Sequence, residues 1–260
     1  MRNMMTGLLA AALLPAYAFA TDGQTLIDQS IVIAAGGFPY KITAPGSYKL
    51  SSNLAASSTA ISITAENVTL DLNGFTLSCT SCGVNSFSLY GIDSTGQSTR
   101  ILNGMVMGFP GGGIVFTNNL GVIDHVTMLG NGVGVQQNSG SLTVTSSAVI
   151  GNANTAQGIV SGTSGVLMIA NSQVSNNGGD GITVRSSGLV TASSVVGNAE
   201  GGIVVAGSSS TTVTLTNNLI SGNGVSDLRV ISGGAAYGLN TFSTSAVTSM
   251  KNNVCGTGTC

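Results

Sequence analysis

The ionisable chemistry of this chain is sparse: nine Asp and Glu, seven Lys and Arg, one His and four Cys in 260 residues. Chemistry therefore has to come from the few places where such residues gather. The one histidine, His125, directly follows Asp124. Such a pair invites acid–base work, because an imidazole held by a carboxylate is a usable base. Neighbours along an extended strand point to opposite faces, so this reading expects the two not to meet. Asp180, Glu200 and Asp227 follow one another after 20 and 27 residues, with Arg185 and Arg229 a few residues after the first and last. If those intervals correspond to stacked turns of chain, three carboxylates and two guanidinium groups fall along one edge. Calcium is the one cofactor that this set would admit. The alternative is solvated turn carboxylates, because Asp is a good turn residue.

Those intervals belong to a repeat. Gly followed by an aliphatic residue recurs at Gly91, Gly113, Gly134, Gly158, Gly181 and Gly202, and Asp227 continues the register. The spacings are 22, 21, 24, 23, 21 and 25 residues. A second marker runs in phase: an aliphatic residue three before Asn131, Asn152, Asn177, Asn198 and Asn223. Phe109 holds the Asn position one repeat earlier. His125 lies six before Asn131, and the same offset holds Ser146, Asn171, Ala192 and Asn217. His125 thus occupies a turn column in which Asn is normal.

Within each repeat lie alternating runs such as Leu142-Thr143-Val144-Thr145 and Val213-Thr214-Leu215-Thr216. Short β-branched runs bounded by Gly, Asn and Ser are strand signals. A unit of this length buries no core alone, but stacked units bury one continuously. The expected fold is all-β: a parallel solenoid of coils of about 21–25 residues, with aliphatic ladders inside and Gly and Asn at the corners. The domain reading is a leader over 1–20, an entry cap over 21–58, the solenoid over 59–242 and a closing cap over 243–260. In the column Val115, Gln136, Val160, Thr183, Val204, the valines are expected to face outward, as a contact stripe or under a covering loop.

The repeat Gly-Ile-x-Val … Asn-x-Ile-Ser-Gly-Asn, with the entry segment Pro45–Leu50 and the run Asn67–Leu77, resembles the right-handed parallel β-helix proteins of the pectate-lyase-like superfamily. The resemblance covers roughly residues 40 to 231. It implies a right-handed parallel β-helix, and it implies activities as diverse as polysaccharide cleavage, adhesion and tailspike binding. The hydrolases of that superfamily carry an adjacent Asp pair and Gly-His-Gly, and its epimerases carry Asp-Pro-His-Asp; none of these occurs here.

Composition narrows the rest. Charged residues are 6% of the chain, where an average domain has about a quarter. Hydrophobic residues are 42%, which excludes charge-driven disorder. Seven scattered basic residues build no nucleic-acid surface. Met1-Arg2-Asn3, the apolar run Gly7–Leu14 and Ala18-Phe19-Ala20 read as a secretory signal cut before Thr21. That run is too short to span a membrane. The protein is expected to be secreted, periplasmic or on the cell surface. Cys79, Cys82, Cys255 and Cys260 then read as the disulfides Cys79–Cys82 and Cys255–Cys260.

Two functions follow. The first is a non-catalytic surface, envelope or binding protein whose partner is a polysaccharide or a surface protein. The second is a uronate-polysaccharide lyase using Asp180, Glu200 and Asp227 with Arg185, Arg229 or His125. The scarcity of acid–base clusters favours the first.

Overall fold

The computed structural model describes residues 23–83, 87–117, 119–153, 156–208, 210–232, 234–237, 241–242 and 247–249. The chain winds into a right-handed parallel β-solenoid with three faces. The first face is a ten-stranded sheet running from Tyr40–Ile42 to Val247–Ser249. The other two faces form one 17-stranded sheet, because Thr99–Met107 and Asn119–Leu129 run unbroken around the corner between them.

Strand pairing is parallel throughout, and it follows the repeat markers. Ile92 pairs with Ile114, Ile114 with Val135, Val135 with Ile159, Ile159 with Ile182, and Ile182 with Ile203. These side chains are buried, as are the ladders Ile101–Ile123–Val144–Ile169–Val190–Leu215 and Val106–Met128–Val149–Val174–Val195–Ile220 on the other two faces. The three ladders meet along the axis as one apolar core. Parallel pairing begins with Thr25–Ile27 against Tyr48–Leu50, and on the first face with Tyr40–Ile42 against Ile61–Ile63. Between Thr25–Ile27 and Tyr40–Ile42, Gln29–Ala34 forms a short helix that closes the end of the core with buried Val32. Asp28 caps this helix by accepting the Ile31 N–H at 2.8 Å. The Gln29 amide meets the backbone of Ala55 with both its groups, which blunts the sheet edge there.

The repeated Asn forms a buried column. The Oδ1 of Asn177 accepts the backbone N–H and the side-chain Nδ2 of Asn152, at 3.1 and 2.8 Å. Asn198 does the same for Asn177, and Asn223 for Asn198. The other Nδ2 proton of Asn177 goes to the carbonyl of Val149 at 3.1 Å. The amides of Asn177, Asn198 and Asn223 thus each use both donors and the acceptor inside the protein, as burial requires. Phe109 stands at the head of the column, and its N–H donates to Asn131.

The same column explains the repeated Gly. A Cβ on Gly158 would lie 2.6 Å from the Gly181 carbonyl and 2.7 Å from Asn177 Nδ2. Asp227 breaks the rule because its carboxylate takes over the acceptor role: its Oδ1 receives the N–H and Nδ2 of Asn223.

Asn177→Ala removes the acceptor of two buried donors and the donor to Val149. It is expected to cost roughly 3 kcal/mol of folding stability. Asn171→Ala, at an exposed corner that takes Ala in another coil, is expected to cost about 1 kcal/mol or less. The urea midpoints of the two variants check the difference.

Candidate functional site

Asp180 and Asp227, expected to help bind a cation, have other work. Asp180 is 9% exposed; its Oδ1 accepts the Gly201 N–H and its Oδ2 the Thr183 hydroxyl, at 2.9 and 3.0 Å. Asp180 is therefore a staple between consecutive coils. Asp227 is 1% exposed and ends the Asn column. Glu200 alone of the three is exposed. Among the described residues, no three His, Cys, Asp or Glu side chains lie close enough to hold a metal ion. The three carboxylates thus share an edge, as the repeat required, without converging. Arg185 is exposed and Arg229 half-buried on the first sheet.

Of the two readings of the valine stripe, open contact surface or covered stripe, burial leaves the second. Val115, Val160 and Val204 are 3, 7 and 2% exposed, so they offer no open contact surface. Asp180 in the preceding turn bonds to Thr183 of the same column. Asp93 stands in register with Val115 and is half-buried. Burial pushes its carboxyl above the ordinary aspartate value.

The opposite side of the coil holds a different site. At the corner between the second and third faces, one residue per coil takes a left-handed backbone. His125, Ser146, Asn171, Ala192 and Asn217 have φ of 56, 49, 51, 49 and 56°. Asn suits this conformation; His, Ser and Ala are held in it by the strands on either side. The turn-column role expected of these five positions is what the structure contains. The residue after each corner turns inward: Val126 after the first, then Ser147, Ser172, Ser193 and Asn218 as a second polar column. Ser172 Oγ accepts the Ser147 N–H, and Ser193 Oγ accepts the Ser172 N–H, both at 3.2 Å. Asn218 Oδ1 accepts the Ser193 N–H at 3.0 Å.

The corner makes a groove of about 680 Å³ along the solenoid axis. Ser, Thr, Asn and Gln line most of it, with His125 near one end and Leu219 near the other. At about 4.8 Å per coil, the four steps from His125 to Asn217 span about 19 Å.

The left-handed corner also overturns the expectation that Asp124 and His125 do not meet. Strand alternation fails at φ of 56°, and His125 Nδ1 lies 3.0 Å from Asp124 Oδ1. The Thr145 hydroxyl, one coil on, donates to the same oxygen at 2.8 Å. Thr145, then His125 and Arg100, hold the Asp124 carboxyl below the ordinary range. Arg100 is exposed and pairs in register with Val122, two residues before Asp124. This is where acid and base meet, and it was missed because strand alternation was carried through a corner. The signal was available: His125 shares its repeat offset with two Asn, the residue that most readily accepts positive φ.

Residues 153–255 match the family model described as the right handed beta helix region. That stretch is less than half of the chain, and the described residues on both sides of its start share the right-handed β-helix fold. The matched stretch takes in the later coils, where the Asn and Ser columns are most regular. No curated protein and no solved structure matches the chain. The β-helix carries the expected Cys79–Cys82 disulfide, with a Cα–Cα distance of 5.7 Å. Cys255 and Cys260 lie outside the described residues, as does the leader. Among the described residues, no helix is long and apolar enough to cross a membrane.

The shifts of Asp93 and Asp124 act oppositely on stability. The folded pKa of Asp93 is raised, so its charged form opposes folding, and that penalty grows as pH rises through the folded pKa. The folded pKa of Asp124 is lowered, so its contribution is present above the ordinary value and is lost as pH falls through the folded one. Asp93→Asn is expected to raise the melting midpoint at neutral pH and to lose that advantage in acid. Asp124→Asn is expected to lower the midpoint slightly at neutral pH only. Thermal melts across the carboxylate range check both signs.

Proposed function

We propose that the protein is an exported binding rod that holds an extended, uncharged polysaccharide along its corner groove without cutting the polymer. The observation that carries this reading is the groove itself: a channel over five coils that presents the exposed, uncharged polar side chains of Ser146, Asn171, Gln173 and Asn217 between apolar surface. Neutral donors and acceptors at a regular rise suit a polymer of sugar hydroxyls better than a charged one. Ser147, Ser172 and Ser193 bond to backbone carbonyls beneath the groove, at 2.7, 2.8 and 2.8 Å, so its floor is preorganised.

The leader-like start Met1-Arg2-Asn3, the apolar run after it and Ala18-Phe19-Ala20 support export. The Cys79–Cys82 disulfide agrees with an oxidising compartment. Lyase chemistry at Asp180, Glu200 and Asp227 loses its support, since two of the three are structural staples.

Expression with the full leader is expected to yield a processed chain beginning at Thr21 outside the cytoplasm, read by N-terminal sequencing of cell fractions. Ser194→Lys places a long cation in the groove, and it is expected to weaken retention on neutral polysaccharide at least ~10-fold. Ser221→Lys, on the same face but outside the groove lining, is expected to leave retention unchanged. Affinity electrophoresis through a panel of neutral and acidic polysaccharides checks this. Equal loss in both variants, or retention only on acidic polymers, overturns the reading.

A further inference from the structure

One end of the groove holds more than a binding site needs. Asp124 Oδ1 meets His125 Nδ1 at 3.0 Å and the Thr145 hydroxyl at 2.8 Å. A carboxylate at Nδ1 fixes the ring and leaves Nε2 as the acceptor. The imidazole is 64% exposed, and it lines the groove rather than the core. Ser146 lies on the next coil at the same corner. The registers Asp124–Thr145 and Thr127–Ala148 bracket the His125–Ser146 pair, so the two stand one rung, about 4.8 Å, apart. Ser146 is exposed, lines the same groove and has φ of 49°. An exposed serine, a histidine one backbone rung away and a carboxylate fixing that histidine are the residue types of a nucleophile, its base and the base's orienter, in neighbouring positions.

We propose that Ser146, His125 and Asp124 hydrolyse acyl esters, such as O-acetyl groups on a glycan lying in the groove. This goes beyond the binding reading and leaves the polymer backbone intact. Ser146 Oγ adds to the ester carbonyl carbon while its proton passes to His125 Nε2. The bond from that carbon to the sugar oxygen then breaks, and the oxygen leaves with the proton from Nε2. Water, deprotonated by the same nitrogen, attacks the acyl-serine, releasing the carboxylic acid and restoring Ser146. Asp124 and Thr145 are positioning residues: they hold the ring and touch no substrate.

The fold supplies its own controls. Ala192 and Asn217 occupy the same corner in later coils with φ of 49 and 56°, so Ser146→Ala and His125→Asn introduce residues that this backbone already carries. The full processed protein is assayed with p-nitrophenyl acetate and with a fluorophosphonate probe. The expected result is labelling of Ser146, located by peptide mass spectrometry. Ser146→Ala and His125→Asn are each expected to lose the label and at least ~100-fold in turnover, with the melting midpoint retained. Asp124→Asn is expected to lower kcat with KM unchanged. No labelling of Ser146, or turnover unaffected by His125→Asn, overturns the proposal. The small ester needs no glycan contact, so failed turnover and failed polysaccharide retention are separate results.

Discussion

The hydrogen bond between one asparagine and its counterpart in the next coil is the interaction on which this molecule depends. A buried amide has two donors and an acceptor to satisfy, and the aliphatic core offers it nothing. Here the partner is the same residue one turn later, so the demand is met only if the coils stay in register. Aliphatic ladders tolerate a shift of one methyl group, because apolar contact is not directional. The amide column tolerates none. It sets the phase of the coils from Asn131 to Asp227, and with it their Gly column, where a side chain would strike the neighbouring carbonyl. The column needs something at its end, and Asp227 supplies an acceptor without needing another coil's amide. A carboxylate that looked like a ligand is the stop of a hydrogen-bonded chain.

That reassignment shows what sequence alone conveys in a solenoid. The architecture was legible because it is periodic: Gly-Ile and Asn repeat at one spacing, and the strands pair at the same offsets. The corner column of His125, Ser146, Asn171, Ala192 and Asn217 was legible for the same reason. Side-chain direction was not. Asp180 reaches the next coil's Gly201 N–H, and only the burial of Val115 and Val204 decides between the open and covered stripes that alternation allowed. Direction depends on local φ and on how far turns rise beside a short strand, and neither has a period. The Asp124–His125 contact failed for the same cause, since one left-handed residue is enough to bring neighbours together.

The two corners also differ in what they leave free. At the Asn corner, the side chain turns inward and its oxygen and nitrogen are both bonded inside the protein. At the left-handed corner, the backbone does the turning and the side chain leaves the core. The identity of that residue then costs the fold only the price of positive φ, about 1–2 kcal/mol for a residue other than Gly and less for Asn. His, Ser, Asn and Ala all stand there in one chain. A position that the core does not constrain, placed beside a channel and repeated in each coil, is where chemistry can be installed without disturbing the rod. The carboxylates at 180 and 227 had no such freedom, because the stack needed them. In this β-helix the exposed histidine is therefore better placed to act than the more numerous acids, and it is the coil-to-coil register that brings Thr145 and Ser146 to its side.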